Sequence, residues 1–207
     1  ILSNDYINEL KSHYTCYKEK ALAIDNTTLT KEEQMTKDIL LWECNINLEA
    51  LTFRTDLFPI DQMWSVNLVV GQLASGASAQ PFKTVSDYEN WLKRLDGYLI
   101  WLESAKAKME EGITSNYVLP KSLILKVIPQ FEALAKGTAE DHLFYSPINN
   151  LPDSFSEEEK ETLKNKYQVA VTERVIPTYK KLHDFLSTSY LEAGRSSSGI
   201  QGIPNGD

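Results

Sequence analysis

Apolar residues recur along this chain at steps of three and four residues, which is the spacing of an amphipathic α-helix. The alternation of apolar and polar residues that is typical of a strand never persists beyond four or five positions. The pattern therefore predicts an all-α fold, an elongated bundle of about six helices in which prolines bend the longest ones. The predicted helices cover residues 3–24, 30–56, 61–74, 86–111, 120–136 and 156–193.

Capping signals set the ends of several of these helices. In a capping box, a Ser or Thr hydroxyl and an acidic side chain three residues later satisfy each other's backbone amides. Such boxes are predicted to begin at Thr30, Ser86 and Ser156. Gly112 is expected to end the helix that starts at Ser86, and Gly194 is expected to end the last helix.

Prolines and small residues predict where the helices stop or bend. Pro59 should stop the second helix, because the residue before a proline is pushed out of helical geometry. Pro129 should kink or split the helix that contains it, and Pro177 should bend the last helix. Residues 138–153 are expected to form an irregular connector, and residues 195–199 a flexible segment.

Two of the predicted helices carry long apolar stripes. On the helix at 86–111, Trp101 lies about 80° around the helix axis from the apolar stripe that contains Trp91, at 100° per residue. Leu99 and Ile100 widen the apolar surface there. We therefore expect an exposed apolar patch larger than the few hundred Å² typical of a monomer, covered by a missing C-terminal part of the same protein or by a second copy of the chain. The stripes are Met35, Ile39, Trp42, Ile46, Ala50 and Phe53 on one helix, and Trp91, Leu95, Tyr98, Leu102, Ala105 and Met109 on the other.

Composition supports a globular protein and excludes two classes of partner. The 207 residues are 42% hydrophobic, which suits one helical region with its own core. The net charge of −8 and the lack of a dense Lys/Arg cluster argue against nucleic acid as a partner. The sequence contains no run of about 18 apolar residues, so no membrane span is predicted. The first residue is not Met and the last residues form a Gly-rich turn, so we expect a processed or truncated N-terminal part of a larger protein.

The sequence contains no complete catalytic, cofactor-binding or metal-binding motif. His13, His142 and His183 lie far apart outside any HExxH pattern, so surface or capped histidines are favoured over zinc ligands. Glycine-rich phosphate loops and the GxSxG elbow are absent. Glu43 and Glu49 lie near apolar positions, but a solvated helix face is the favoured interpretation.

The two cysteines, Cys16 and Cys44, fall on predicted amphipathic helices. Buried free thiols are therefore favoured over a disulfide, and the cysteines do not indicate a compartment.

Four segments together resemble the bacterial domain-of-unknown-function family 885, a set of zinc metallopeptidase-like proteins: Leu57–Met63, Pro81–Tyr88, Arg174–Leu182 and Gly199–Asp207. The resemblance extends from about residue 29 to the end, with order and spacing preserved. It implies a long helical, gluzincin-like architecture in which a later HExxH helix binds zinc, and an exported or lipid-anchored protein outside the cytoplasm. No HExxH is present here, so the resemblance carries no catalytic residue onto this chain.

These observations leave three hypotheses for the function. The first is a non-catalytic N-terminal segment of a zinc-dependent metallopeptidase-like protein that forms part of the wall of a peptide-substrate cleft. This chain alone would then bind no zinc and hydrolyse no peptide. The alternative is a stand-alone helical binding module for a peptide or protein partner, and the third is a structural or regulatory helical domain.

Overall fold

A computed structural model describes residues 3–206, so Ile1, Leu2 and Asp207 lie outside the described residues. Within this range all regular elements are helical, which confirms the predicted all-α class. The α-helices are α1 (Asn4–Leu22), α2 (Lys31–Ala50), α3 (Val66–Ala74), α4 (Val85–Ser115), α5 (Lys121–Glu132), α6 (Glu157–Ala170), α7 (Ile176–Phe185) and α8 (Leu191–Ala193). The π-helical turns are Val171–Val175 and Leu186–Tyr190, and the 3-10 helices are Asn26–Thr28, Thr55–Leu57, Leu143–Asn150 and Ile200–Gly202.

The contacts divide the chain into two compact units, residues 1–56 and residues 57–207. A single helical region stays a prediction from the sequence.

The first unit is a hairpin in which α1 packs against α2. The predicted capping box at Thr30 is present: its backbone amide donates to Glu33 Oε2 at 2.8 Å, and the Glu33 amide donates to Thr30 Oγ1 at 3.3 Å. The bond from the Thr30 amide, together with one from the Thr30 hydroxyl to the same carboxylate oxygen at 2.8 Å, holds the pKa of Glu33 below its usual value. Lys37 Nζ, one turn further along α2, donates to the Ile24 carbonyl at 2.7 Å and to Asn26 Oδ1 at 2.6 Å. Local contacts thus fix the turn of the hairpin.

In the second unit, the N-cap of α4 lies two residues earlier than predicted. Its N-cap is Thr84, whose amide donates to Asp87 Oδ2 at 2.8 Å and whose hydroxyl accepts from the Asp87 amide at 3.3 Å. The prediction of a box at Ser86 is wrong because two such patterns overlap here and only one can cap the helix. Glu89, the acidic residue of the rejected pattern, accepts from Lys166 Nζ at 2.7 Å instead.

Gly112 does not end α4, contrary to the prediction. The helix continues to Ser115 and stops at Asn116, which takes the left-handed conformation with φ 61°. Gly112 is buried inside the helix, and a Cβ there would lie 2.5 Å from the Tyr117 carbonyl oxygen and 2.9 Å from that of Leu57. The glycine is therefore required by the close approach of two backbone segments rather than by a positive φ.

The segment before α3 is a turn and not the start of a helix. Asp61 Oδ1 accepts from the amides of Met63 and Trp64, both at 2.6 Å, and α3 begins only after its N-cap Ser65. The prediction of a helix from residue 61 is therefore wrong at its start, because an Asx turn and a helix cap use the same side chain in the same way.

Prolines act differently in the two later helices. Pro129 lies inside α5 without splitting it, and α5 ends at Glu132 rather than at residue 136. Pro177 lies in the first turn of α7, directly after the π-helical turn Val171–Val175. In a regular α-helix the ring of Pro177 would collide with the carbonyl of the residue four positions earlier, and this collision is why the sequence predicts a bend. That residue lies in the π-helical turn, which is wider than an α-helical turn.

Buried tyrosines connect helices that are distant in sequence. The hydroxyls of Tyr98 on α4 and Tyr179 on α7 share a hydrogen bond of 2.7 Å. Tyr167 on α6 donates to the Tyr88 carbonyl at 3.0 Å, and the Tyr190 hydroxyl accepts from the Leu119 amide at 3.2 Å. Each phenolic oxygen is thereby satisfied, which is necessary for a buried polar group.

Two segments expected to be irregular or flexible are ordered by hydrogen bonds. The connector at residues 138–153 contains the 3-10 helix Leu143–Asn150, which packs against α3 and α6. Gly194 ends α8 as predicted, and Arg195 after it donates through Nε to the Val118 carbonyl at 3.1 Å and through Nη1 to the Ser197 carbonyl at 2.9 Å. Arg195 also forms a parallel backbone bridge with Pro120. Sequence composition alone did not indicate these long-range contacts.

Candidate interaction surface

Helix α2 is apolar on two opposite faces, and α1 covers one of them. On the covered face Cys44 is buried, while Leu41 and Leu48 are half-buried. At 100° per residue, Ile46 lies about 200° from Cys44 and therefore on the far side of the helix. A helix that is apolar on both sides calls for a neighbour on each.

The far face is exposed, and it is the stripe that the sequence predicts. Met35, Ile39, Trp42 and Ile46 are between 43% and 64% exposed. We call these four residues the α2 stripe. The spacing of these four residues is as predicted, but α2 ends at Ala50 rather than at residue 56, so Phe53 lies outside the helix. The residues that pack in the hairpin are those on the opposite side of the helix.

A shallow open depression follows the first three residues of the α2 stripe. Its volume is about 590 Å³. The polar and the apolar residues that line it all belong to α2, so it is a groove between side chains of one helix and not a pocket between two helices. The residues lining it are Lys31, Gln34, Met35, Asp38, Ile39 and Trp42.

A second exposed apolar group lies in the other unit, around the turn before α3. Trp64 is 86% exposed, and Met63, Val66 and Val69 are exposed beside it in sequence. Asp61 holds the turn through the two amide hydrogen bonds described above. These residues do not follow a helical stripe, because two of them lie in the turn.

Around Trp101 the exposed apolar surface is smaller than the sequence suggests. Leu99 is buried and Trp101 is half-buried, so Ile100 is the exposed member of the three. Trp91 is fully buried as the seam of α4 predicts. The expected covering partner stays a prediction, and the exposed tryptophans lie elsewhere, at Trp42 and Trp64.

The three histidines are engaged separately. His142 is buried at the start of a 3-10 helix, where Nδ1 accepts from the Phe144 amide and Nε2 lies 3.2 Å from the Leu134 carbonyl oxygen. Burial lowers the pKa of His142. The ring of His13 contacts that of Tyr17 at a tilt of 47°, with the centroids 4.7 Å apart, and His183 Nδ1 lies 3.1 Å from Asp184 Oδ1.

The remaining candidate residues lie on the hairpin. Glu43 and Glu49 are both exposed on α2, in agreement with a solvated helix face. Both cysteines are free, but only Cys44 is buried. The prediction of a buried thiol is wrong for Cys16, which lies on the solvent side of α1.

Comparison with known proteins identifies the family. The sequence profile of a family described as "Bacterial protein of unknown function (DUF885)" matches residues 2–207. The chain belongs to this family. The resemblance seen in the sequence is thereby confirmed as family membership. The match does not extend to a zinc metallopeptidase activity.

A solved structure shows the same fold as this DUF885 chain. It is described as "the putative lipoprotein from Colwellia psychrerythraea", and the superposition has a TM-score of 0.79 at 17% sequence identity. The match covers 99% of this chain but 36% of that one, so the chain spans about a third of the length of this relative. None of the curated proteins matches the DUF885 chain.

The zinc that the resemblance implies does not fit the residues described here. Within residues 3–206, no three His, Cys, Asp or Glu side chains come together in a group that could hold a metal ion. A zinc site needs three or four convergent ligands, and the nitrogens of His142 already face a backbone amide and a carbonyl. In the same range, none of the helices combines the length and apolarity needed to cross a membrane.

Proposed function

We propose that this chain is a non-catalytic helical segment of a zinc-dependent metallopeptidase-like protein and that it forms part of the wall of the substrate cleft. The observation that carries the proposal is the fold match, which covers nearly all of this chain and 36% of a longer relative. Zinc ligands and a water-activating glutamate would then come from a later segment of the protein.

The exposed apolar faces support a role in packing rather than in chemistry. Many charged side chains of the second unit serve as caps or as exposed ion pairs, such as Asp87 at the start of α4 and Lys181 with Glu103 at 2.7 Å. By contrast, the turn at Trp64 presents large apolar side chains to solvent. Surfaces of this composition mark contacts with other protein segments.

The proposal is tested on the protein as its host cell makes it. Antibodies raised against this 23.5 kDa chain would be used to purify the native protein for intact-mass and zinc measurements. We expect a mass far above 23.5 kDa, about one zinc per molecule, and peptide hydrolysis that a chelator abolishes. A native protein of 23.5 kDa would overturn the proposal, and so would a longer protein that carries no zinc.

A stand-alone binding module is the second candidate, and the exposed α2 stripe is the observation that favours it. The two candidates differ in the native mass, since a module of this length alone would be recovered at 23.5 kDa.

We also propose a location outside the cytoplasm. The support is that the structural relative from Colwellia psychrerythraea is described as a lipoprotein. Fractionation of host cells with the same antibodies tests this location, and recovery of the native protein with cytoplasmic markers would overturn it.

A further inference from the structure

We propose that the α2 stripe is a docking site for an amphipathic α-helix of a partner protein, and that lysine or arginine residues flank the apolar seam of that helix. This inference rests on the hairpin alone and does not depend on the proposed function. It also goes beyond a general binding role, because it specifies the secondary structure and the charge of the partner.

The spacing of the α2 stripe fits a helix better than an extended peptide. Met35, Ile39, Trp42 and Ile46 are separated by four, three and four residues. That sequence of steps corresponds to positions d, a, d and a of a heptad repeat, whose side chains insert between those of a facing helix. Helix-in-groove recognition uses anchors with this periodicity.

The flanks of the stripe specify the charge of the partner. In this heptad assignment Asp38 and Lys31 take position g and Glu43 takes position e, and all three are exposed. The two acids lie beside the stripe itself, and the one base lies about a turn before Met35. Among residues 3–206 neither carboxylate takes part in an ion pair. Residues at e and g contact the facing helix beside its seam, so Lys or Arg on the partner would complement both acids.

A second copy of this chain does not supply that complement. In a parallel pair, position g faces position e five residues later in the other helix, which places Asp38 against Glu43 on both sides. In an antiparallel pair that aligns the four apolar residues, Asp38 faces Asn45 and Glu43 faces Thr36. Neither arrangement forms an ion pair, and the parallel one brings like charges together, so self-association is disfavoured.

The test uses two synthetic helical peptides of about three heptads that differ only in charge. Both carry Leu at positions a and d, with Lys at e and g in the basic peptide and Glu in the acidic one. Fluorescence anisotropy of the labelled peptides would report binding to the 207-residue chain. We expect the basic peptide to bind at least about 10-fold more tightly at low salt, and the difference to shrink as salt screens the flanking charges.

Matched variants separate specific docking from attraction to an acidic protein. Ile39→Glu should abolish binding of the basic peptide, whereas Ile100→Glu, at an exposed isoleucine of α4, should not. Replacing Asp38 and Glu43 with Lys should reverse the preference between the peptides while leaving the apolar stripe intact. Replacing Glu158 and Glu161 with Lys changes the net charge equally, at exposed sites on α6, and should leave the preference unchanged.

Three results would overturn the proposal. The first is equal binding of the two peptides, and the second is binding of the basic peptide that survives Ile39→Glu. The third is a dimer in sedimentation of the unmodified chain that Ile39→Glu dissociates, which would assign the stripe to a second copy. A monomer that binds the basic peptide through Ile39 supports the proposal.

Discussion

The two units of this chain bury their apolar residues in opposite ways. Within residues 3–56, only Ala21 and Cys44 are fully buried apolar residues, although α1 and α2 span nearly forty residues. The unit that begins at residue 57 has an extensive core rich in aromatic side chains, among them Trp91, Phe131 and Phe144. Two helices alone can each cover one face of the other, whereas several helices can enclose a seam completely.

The two units also differ in what holds them. Contacts between residues close in sequence fix the turn of the hairpin, such as the Thr30 capping box and the Lys37 bonds to the turn. The second unit depends on pairs far apart in sequence, such as Tyr98 with Tyr179. We therefore expect the hairpin to open more readily than the aromatic core, and the following experiments address that difference.

The largest expected effect is alkaline unfolding of the second unit. Burial raises the pKa of Tyr98, Tyr167 and Tyr179, and raises that of Tyr190 to about 12. Below about pH 10 these tyrosines are protonated in both the folded and the unfolded state. Above that pH the unfolded chain loses phenolic protons that the folded unit retains, so the free energy of unfolding falls as the pH rises. Tyr190 alone should contribute a loss of about 2 kcal/mol by about pH 12.

Denaturant midpoints at about pH 8 and pH 11 would measure this loss, with tyrosinate absorbance as a second signal. Tyr190→Phe should reduce the dependence on pH. Ionisation of all tyrosines near pH 10 in a fully folded protein would contradict the prediction.

Gly112→Ala should destabilise the second unit by about 2–3 kcal/mol, because the new methyl group would collide with two backbone carbonyl oxygens. Gly97→Ala is the control on the same helix, since a Cβ there meets nothing within 4 Å. Replacing that glycine should stabilise α4 by up to about 1 kcal/mol. Chemical denaturation of both variants checks the contrast, which fails if the two substitutions have the same sign.

Tyr179→Phe should cost about 1–3 kcal/mol, because it leaves the Tyr98 hydroxyl buried without its partner. The double variant with Tyr98→Phe should cost less than the sum of the single changes, since it leaves neither hydroxyl unpaired. Tyr17→Phe, on the exposed side of the hairpin, should change stability by less than about 0.5 kcal/mol. If the losses of unfolding free energy in the two single variants add up to the loss in the double variant, the hydrogen bond does not couple α4 to α7 energetically.

The smallest effect concerns the thiols of the hairpin and leaves stability unchanged. Cys16 should react with a thiol reagent in native buffer, and Cys44 should react at least about 10-fold more slowly because it is buried. With Cys16→Ser present, labelling of Cys44 should begin at lower denaturant than the loss of aromatic circular dichroism from the second unit. Labelling that follows global unfolding alone would show that the chain unfolds as a single domain.

Helix class and most helix positions could be predicted from the sequence, because periodicity and capping are local. The box at Thr30 depends on four consecutive residues, and it is present as predicted. The place of Gly112 inside α4 is not visible in the sequence, because its neighbours Leu57 and Tyr117 approach it only in the folded chain. The order at Arg195 is not visible for the same reason, since its carbonyl partner at Val118 is distant in sequence.

The candidate surface shows the same limit. The spacing of the α2 stripe is visible in the sequence, but a stripe alone does not reveal whether it faces a core or solvent. Helix α2 has apolar residues on both sides, and Cys44 rather than Trp42 turned out to be on the buried one. Exposure of both sides of a helix has to be known before a stripe is assigned to a core or to a partner.

The two π-helical turns keep the long C-terminal helical run in phase with the core. Eight buried residues follow one another at steps of four, with a single step of three: Leu163, Tyr167, Val171, Val175, Tyr179, Leu182, Leu186 and Tyr190. A uniform α-helix would advance by about 2700° between the first and the last, which is half a turn too far for seven repeats. Each π turn takes up one additional residue and removes about 100° of that drift. Each π turn thus stores one residue that the phase of the helix does not need. Deleting one residue within either turn should let it close as an ordinary α-helical turn, with every later side chain still facing the core.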